Sequence, residues 1–298
     1  MEDGAIAHVP RRIPCGTTTG DVVALPLHRR TSPGDALTER SRGTWSAGDY
    51  DRISAGFRDE AEAFVGRRAL HPGQAVLDAA CGSGNLTIPA ARTGASVTGL
   101  DLVPSLLAAA SAWAEREGLP ITLDEGSVEE LPYTDAQFDV VLSMFGVMFA
   151  ARPDRVVCEL ARVTRPGGLV TLANWTRRGF IGRMLAMHAA RVRPPAGVPS
   201  PLLWGDEEVL RERFDNHEWR LTTAVRTLTF RYPYTPAGTA ELFRTAYGPT
   251  LRVFEALDED GRATFAAELA AHWSSHQRGS GPTTEVDAEY LEVVAVRR

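Results

Sequence analysis

The chain has 298 residues, enough for one large domain or a core with a cap, and its 44% hydrophobic content is that of a globular protein. All 32 basic side chains are arginine, and without lysine neither a Walker-type phosphate loop nor a pyridoxal-phosphate Schiff base can form. The net charge of −6 argues against a general nucleic-acid binder, and no apolar run approaches the roughly 18 residues of a membrane span. Val22–Leu27, broken by Pro26, is too short for an export signal, so a cytoplasmic location is expected. The three cysteines are far apart, with no C-x-x-C pair, which argues against a zinc site or a disulfide framework.

Residues 1–43 are rich in Gly, Pro, Thr, Ser and Arg without a sustained period and read as a mostly disordered leader, with order beginning near Trp45. Ile53, Phe57, Ala61, Phe64 and Val65 fall at helical spacing and predict one amphipathic helix from Tyr50 to Leu70, stopped by His71-Pro72-Gly73. Strand and helix signals then alternate. Ala75–Ala80, Ala95–Asp101, Ile121–Leu123, Phe138–Met144 and Leu169–Trp175 read as strands. Asn85–Arg92, Pro104–Glu117 and a segment opened by Pro153 read as helices. Short apolar strands alternating with helices predict a parallel sheet covered on both faces, whose ligands bind just beyond the strand ends. Past Trp175 the signals predict helices over Phe180–Val192 and Asp206–Phe214 and a strand over Leu221–Tyr232. Two helices between Pro236 and His276 and a final strand, Tyr290–Val296, follow.

The chemistry gathers at the strand ends. Val76-Leu77-Asp78-Ala79-Ala80-Cys81-Gly82-Ser83-Gly84 delivers an acid inside a buried strand, then two glycines that let backbone approach a ligand at a helix start. The dinucleotide fingerprint would need a third glycine where Thr87 stands, which disfavours a nicotinamide-dependent oxidoreductase. Asp101 ends the second strand 23 residues after Asp78, where a carboxylate can accept both hydroxyls of a ribose. Nine arginines against Asp154 and Glu159 lie between Arg152 and Arg193, read either as solvated helix faces or as a site for an acidic substrate.

These segments, with Asp135-x-x-Phe138-Asp139-Val140-Val141 and Leu160-x-x-Val163-x-x-Pro166-Gly167-Gly168, resemble the class I S-adenosylmethionine-dependent methyltransferases. The nearest branch is the ubiquinone/menaquinone-biosynthesis (UbiE-like) type and its small-molecule relatives. The resemblance covers about residues 45–175, and the final strand fits as well. It implies an α/β fold: a Rossmann-like, seven-stranded, mostly parallel sheet with an antiparallel last strand, helices on both faces, and helical cap insertions. On that basis a methyltransferase domain is expected over 44–298, with a cofactor core at about 70–175, cap insertions at about 176–285 and a final strand at 288–297.

The resemblance also implies roles. Asp78, Gly82 and Gly84 would hold the methionine portion of S-adenosylmethionine, Asp101 its ribose, and Leu102 would pack on the adenine, with Ala80 and Val128 also at the cofactor. The family usually carries an Asp after the glycine of its third loop, and here Ser127 stands there, a weaker hydrogen-bonding partner than a charge. Ser143, with Met144 and Phe145, would end the fourth strand beside the sulfonium, and Tyr50 resembles the lid residue over the cofactor. Ser143-Met144-Phe145-Gly146 carries neither the Pro-Pro-aromatic motif of amino-methylating nucleic-acid enzymes nor a Pro-Cys nor a metal-binding carboxylate. The expected partner is therefore a small molecule, with no metal, nucleic acid or membrane.

Methyl transfer needs in-line positioning, exclusion of water and sometimes a base, so no catalytic signature is expected. His188, His272 and His276 are candidate bases in the cap, and Phe145, Trp175, Arg178, Trp204 and Tyr247 are candidate substrate contacts, all with core or surface packing as the competing reading. The expected substrate is quinone-like or a secondary metabolite, the latter favoured by lysine-free, Ala- and Arg-rich usage typical of GC-rich genomes. A cyclase-like relative that keeps the cofactor as scaffold would share every one of these loops.

Overall fold

In the computed structural model, residues 33–215 and 219–298 are described. Five parallel strands are followed by an antiparallel pair: β1 (Ala75–Ala79), β2 (Ser96–Asp101), β3 (Ile121–Glu125), β4 (Phe138–Met144), β5 (Thr164–Trp175), β6 (Trp219–Tyr232) and β7 (Thr284–Arg297). The sheet order is β3-β2-β1-β4-β5-β7-β6, with β7 wedged antiparallel between β5 and β6. This is the expected seven-stranded Rossmann-like architecture. β4 is buried along nearly its whole length because both faces are covered by helices, which is why it reads as a continuous apolar run. The chain runs outward from β1 through β2 to β3 and then returns to place β4 on the other side of β1. The crossover loops diverge at that switch point, and a crevice opens above the ends of β1 and β4.

Helices form where local signals start and stop them. α5 (Pro104–Glu117) begins with proline in its first turn and ends at Gly118 in the left-handed region, φ 66°, the usual helix stop. α4 (Thr87–Arg92) and α6 (Pro153–Val163) complete the crossovers. The predicted helix from Tyr50 to Leu70 is instead three pieces: α2 (Tyr50–Ser54), a single 3-10 turn (Ala55–Phe57) and α3 (Arg58–Gly66). The break falls at Gly56, where a Cβ would meet the Tyr232 ring at 2.3 Å, so the chain bends to let that ring pass.

Order starts earlier than the sequence suggests. α1 (Pro33–Ser46) occupies the C-terminal part of the stretch read as leader, while residues 1–32 lie outside the described ones. No residue of α1 whose burial is described is fully buried, so the helix carries no apolar stripe and is held by partners distant in sequence.

The region taken as cap, 176–285, is not all cap, because it contains β6, a strand of the main sheet. α7 (Phe180–Arg191) and α8 (Glu207–Phe214) precede that strand. Three helices rather than two join it to β7: α9 (Pro236–Ala246), α10 (Gly248–Ala256) and α11 (Glu259–Ser275). Tyr247 is extended and Pro249 opens α10, which splits the predicted first helix. β7 also starts before its predicted bound, at Thr284. Trp175, the last residue of β5, pairs with Tyr290, yet β6 and β7 stay paired beyond it up to Tyr232 and Thr284. The hairpin therefore overhangs the sheet by roughly 20 Å, at the edge where the crevice opens, and carries α9–α11 over it.

A buried ionic knot fastens α3 to this hairpin. The Glu292 carboxylate on β7 accepts from Arg67 at 2.6 Å and from Arg68 at 2.9 Å, and Arg226 of β6 lies 3.0 Å away. Tyr290 donates to Glu60 at 2.5 Å in the same cluster. Glu292 and Arg68 side chains are 4% and 7% exposed, so removing one partner strands charge away from water. Glu292→Ala is expected to cost about 3–5 kcal/mol in urea unfolding. Glu241→Ala, which breaks the solvent-exposed pair with Arg244, should stay within about 0.5 kcal/mol of wild type. Equal losses in the two variants would overturn the assignment.

Candidate functional site

The crevice is built from the loops that follow β1, β2, β3 and β4. After β1 the chain turns sharply through Ala80 (φ 59°), Gly82 (φ 54°) and Gly84 (φ 95°), all left-handed positions. Asp78 is buried inside β1 and accepts from the Thr87 hydroxyl at 2.6 Å. Burial pushes its carboxyl up to about 7, with the neighbouring Asp101 charge adding to the shift and Thr87 opposing it. Asp101 accepts the Gly82 N–H at 2.8 Å on one oxygen and the Val103 N–H at 3.0 Å on the other. It thus ties the first loop to the second. Burial raises its carboxyl as well, while those backbone donors and Arg42 pull it down. Backbone donors thus meet both oxygens of this carboxylate.

In the third loop the Ser127 hydroxyl accepts the Glu129 N–H at 3.2 Å. The Glu129 carboxylate is in turn held by the Arg152 backbone N–H at 2.9 Å and by the Arg152 side chain. Beyond β4, Phe145 has φ 57°, a strained value for a residue with a side chain. That turn lays its ring flat on Trp175, centroids 3.5 Å apart, with Phe57 edge-on at 5.5 Å. From above, Trp45 of α1 meets Tyr50 at 5.5 Å, Phe149 at 4.9 Å and Tyr247 at 5.8 Å, all edge-to-face. These rings roof the cleft.

The structure brings Tyr50, Asp78, Ala80, Gly82, Asp101, Leu102, Ser127, Val128 and Phe145 together on the walls of this one cleft. Two expected contacts stand elsewhere. Gly84 faces Ala110 of α5, where a Cβ would come within 3.3 Å, so it permits helix packing. Ser143 is fully buried and donates to the Ala79 carbonyl at 2.6 Å while accepting from Val147, making it a strut between β1 and β4. Trp175 lies behind Phe145, and Tyr247 lies behind the Trp45 and Tyr50 rings. Trp204 is buried apart from the cleft, with Arg213 over its ring. Arg178 is exposed and borders a separate shallow pocket with Arg183 and His276.

The three histidines do not reach the cleft walls. His188 is buried in α7 with Nε2 3.2 Å from the Thr250 hydroxyl, and burial lowers it to about 3, which keeps it neutral. His272 stacks on Phe180 and places Nε2 3.0 Å from the Phe180 carbonyl. His276 contacts the His272 carbonyl at 2.8 Å. All three serve the packing of the cap helices. Four of the nine arginines in the arginine-rich stretch are paired: Arg152, Arg162, Arg165 and Arg191 with Glu129, Glu159, Asp139 and Glu268. Sequence reasoning missed Thr38, Ser41, Trp45, Phe57, Phe149 and Glu129, which also line the cleft. Trp45, a tryptophan five residues before Tyr50, was the available signal.

Comparisons with known proteins agree with this geometry. A methyltransferase-domain family profile matches residues 77–172. An uncharacterised protein of Mycobacterium tuberculosis is 36% identical over 249 residues, covering 82% of this chain and 91% of its own. The malonyl-[acyl-carrier protein] O-methyltransferase of Serratia marcescens is 35% identical over 143 residues, 47% of this chain and 54% of its own. The structure of the YcgJ protein of Bacillus subtilis superposes with a TM-score of 0.56 at 16% identity, over 80% of this chain and 99% of that one, which shows a shared fold.

The raised Asp78 carboxyl gives a pH signature. Below about 7 it is largely protonated in the empty cleft, so binding a ligand with an ammonium beside it expels the carboxyl proton. Affinity for S-adenosylhomocysteine is expected to fall up to about tenfold per pH unit below 7 and to level off above it. Calorimetry in buffers of different ionisation enthalpy should detect the released proton in wild type and not in Asp78→Asn. Affinity that stays flat from pH 5.5 to 8 would count against it.

Proposed function

Because the chain belongs to the S-adenosylmethionine-dependent methyltransferase family, we propose that it transfers the methyl group of S-adenosylmethionine to an oxygen, nitrogen or carbon of a small molecule. The UbiE-like branch is the subtype this reading favours. The observation that carries it is the pair of carboxylates, Asp78 and Asp101, at the ends of neighbouring strands in a cleft roofed by aromatic rings. Asp101, at the end of β2 on the cleft wall, would meet the ribose hydroxyls, and Gly82 would bring backbone close to the methionine portion. Asp78 answers the ammonium. Leu102 and Val128 would flank the adenine, and the Ser127 hydroxyl would meet its edge.

The cofactor supplies an electrophilic methyl on a sulfonium. The protein's part is to align the acceptor in line with that methyl and to keep water out. Trp45, Phe145 and Phe149 offer flat apolar surface at one side of the cleft, which suits a quinone-like or other aromatic secondary metabolite. With the histidines turned into the cap, the reading assigns no histidine base to the reaction, and it needs no metal. Among the described residues, no helix is long and apolar enough to cross a membrane, and a cytoplasmic enzyme acting on a small molecule is the reading this favours.

The test is cofactor choice followed by two substitutions. Calorimetry should show S-adenosylhomocysteine binding and no measurable heat with NAD or NADP, and the reverse preference would refute the reading. Asp101→Ala should lose about 2–4 kcal/mol of S-adenosylhomocysteine affinity, since two hydroxyls lose a charged partner. Ser127→Ala should lose about 1 kcal/mol. Wild-type affinity in Asp101→Ala would show that the ribose lies elsewhere.

A further inference from the structure

α1 lies across one end of the cleft, yet none of its residues described for burial is fully buried. Its C-terminal end meets α10 through the Arg252 bond to the Gly43 carbonyl at 2.5 Å and the close approach of Gly248 to Thr44, and toward the cleft it is held by polar ties and one ring. The Arg42 guanidinium donates to the Leu102 carbonyl, just past β2, and to the Glu125 carboxylate at the end of β3. It therefore bridges the two strands whose following loops carry Asp101 and Ser127. One turn earlier, the Thr38 hydroxyl lies 3.4 Å from Arg152, the residue that grips Glu129 in the third loop. At the C-terminal end of α1, Trp45 packs into the aromatic roof. Thr38, Ser41 and Trp45 all face the cleft from this one helix.

The charges around Asp101 give Arg42 a second role. Asp78 faces it from β1, Cys81 from the first loop and Tyr50 from α2. None of these favours a carboxylate there: one is itself an acid, and the other two are neutral groups that its charge drives further from ionisation. Arg42, from α1, is the cation that favours it. We propose that Arg42 is a cofactor-positioning residue, strapping α1 over the nucleoside end of the cleft and setting a positive charge beside Asp101. This rests on the S-adenosylmethionine reading for its ligand, but the strap itself is a property of the empty chain. Closing α1 and seating the nucleoside are then one event, because the same guanidinium fixes the helix and both nucleoside loops. The strap is readily released: its partners are part-exposed, so solvent competes for them, and no residue of α1 whose burial is described is fully buried.

The experiment uses the full chain with Arg42→Gln, Arg42→Lys and, as a control on an exposed pair, Glu241→Gln. Hydrogen exchange on the unliganded proteins reads the strap. Amides of residues 33–46 should exchange at least tenfold faster in Arg42→Gln than in wild type, with Glu241→Gln unchanged. Calorimetry of S-adenosylhomocysteine from pH 5 to 9 reads the cofactor role. Arg42→Gln should bind about tenfold more weakly at pH 7.5. Its acid-side loss of affinity should exceed that of wild type, because an Asp101 without its cation stays protonated further up the scale and adds to the loss at Asp78. Arg42→Lys keeps the charge and should restore the pH profile while recovering only part of the slow exchange, since a shorter side chain ending in an ammonium does not reproduce the reach and planar geometry of the guanidinium. Unchanged exchange over 33–46 in Arg42→Gln overturns the strap, and unchanged affinity with an unchanged pH profile overturns the positioning role. If wild type itself binds no S-adenosylhomocysteine, the methyltransferase reading and the positioning role fail together, and the exchange comparison still decides the strap.

Discussion

Two carboxylates buried side by side organise this cleft. Asp78 and Asp101 sit on adjacent parallel strands, each raises the cost of ionising the other, and each is lifted by burial. Such a pair is tolerable only with compensation from all sides. Thr87 donates to the first, and the Gly82 and Val103 backbone donates to the second. The left-handed turn at Ala80 and Gly82 brings the first of these donors, the Gly82 N–H, to the carboxylate. What the protein does not supply in full, a ligand bearing hydroxyls and an ammonium can. The unfavourable electrostatics of the empty cleft thereby become selectivity for that ligand.

The sheet and its crossovers were legible because their signals are local. Phe138–Met144 has the bounds expected of a doubly covered strand, and Pro104–Glu117 those expected between a helix-starting proline and a stopping glycine. The loop acids were legible for the same reason, since strand-end position follows from the strand. Reading stopped where partners are distant. α1 has no period to detect, and its hold depends on Glu125 and Leu102, some 60 to 83 residues away. Ser143 stood at the right strand end, but its hydroxyl is committed to Ala79 across the sheet, and no pattern in sequence reveals which way a hydroxyl points. The cap histidines show a related limit. A histidine between apolar neighbours gives no sign of whether it faces a cleft or a core, and here His188 and His272 face the core.

The β6–β7 hairpin explains how a common sheet acquires its own roof. By running past β5, it carries α9–α11 above the cleft without disturbing the strands below. Glu292 and its arginines fix the base of that hairpin to α3, the helix that continues from the one bearing Tyr50. Roof and floor are therefore coupled through charge at one end and through aromatic rings at the other.

The roof also closes on two glycines. A Cβ on Gly48 would sit 2.0 Å from the Ala246 carbonyl, and one on Gly248 would sit 2.1 Å from the Thr44 carbonyl. Here the α1–α2 turn crosses the α9–α10 junction backbone against backbone, sealed by the Asp49 N–H bond to Ala246 at 2.9 Å. The two turns are separated by some 200 residues of chain. At about 5–20 residues per second of synthesis, the first turn waits on the order of 10–40 seconds on the ribosome before its partner emerges. During that interval Trp45 and Tyr50 have no roof to join, and the nascent chain displays them beside a sheet that is already assembling. The finished cleft is thus among the last parts of the molecule to form, and the newborn protein depends on its own C-terminal third, or on a chaperone, to cover those rings in time.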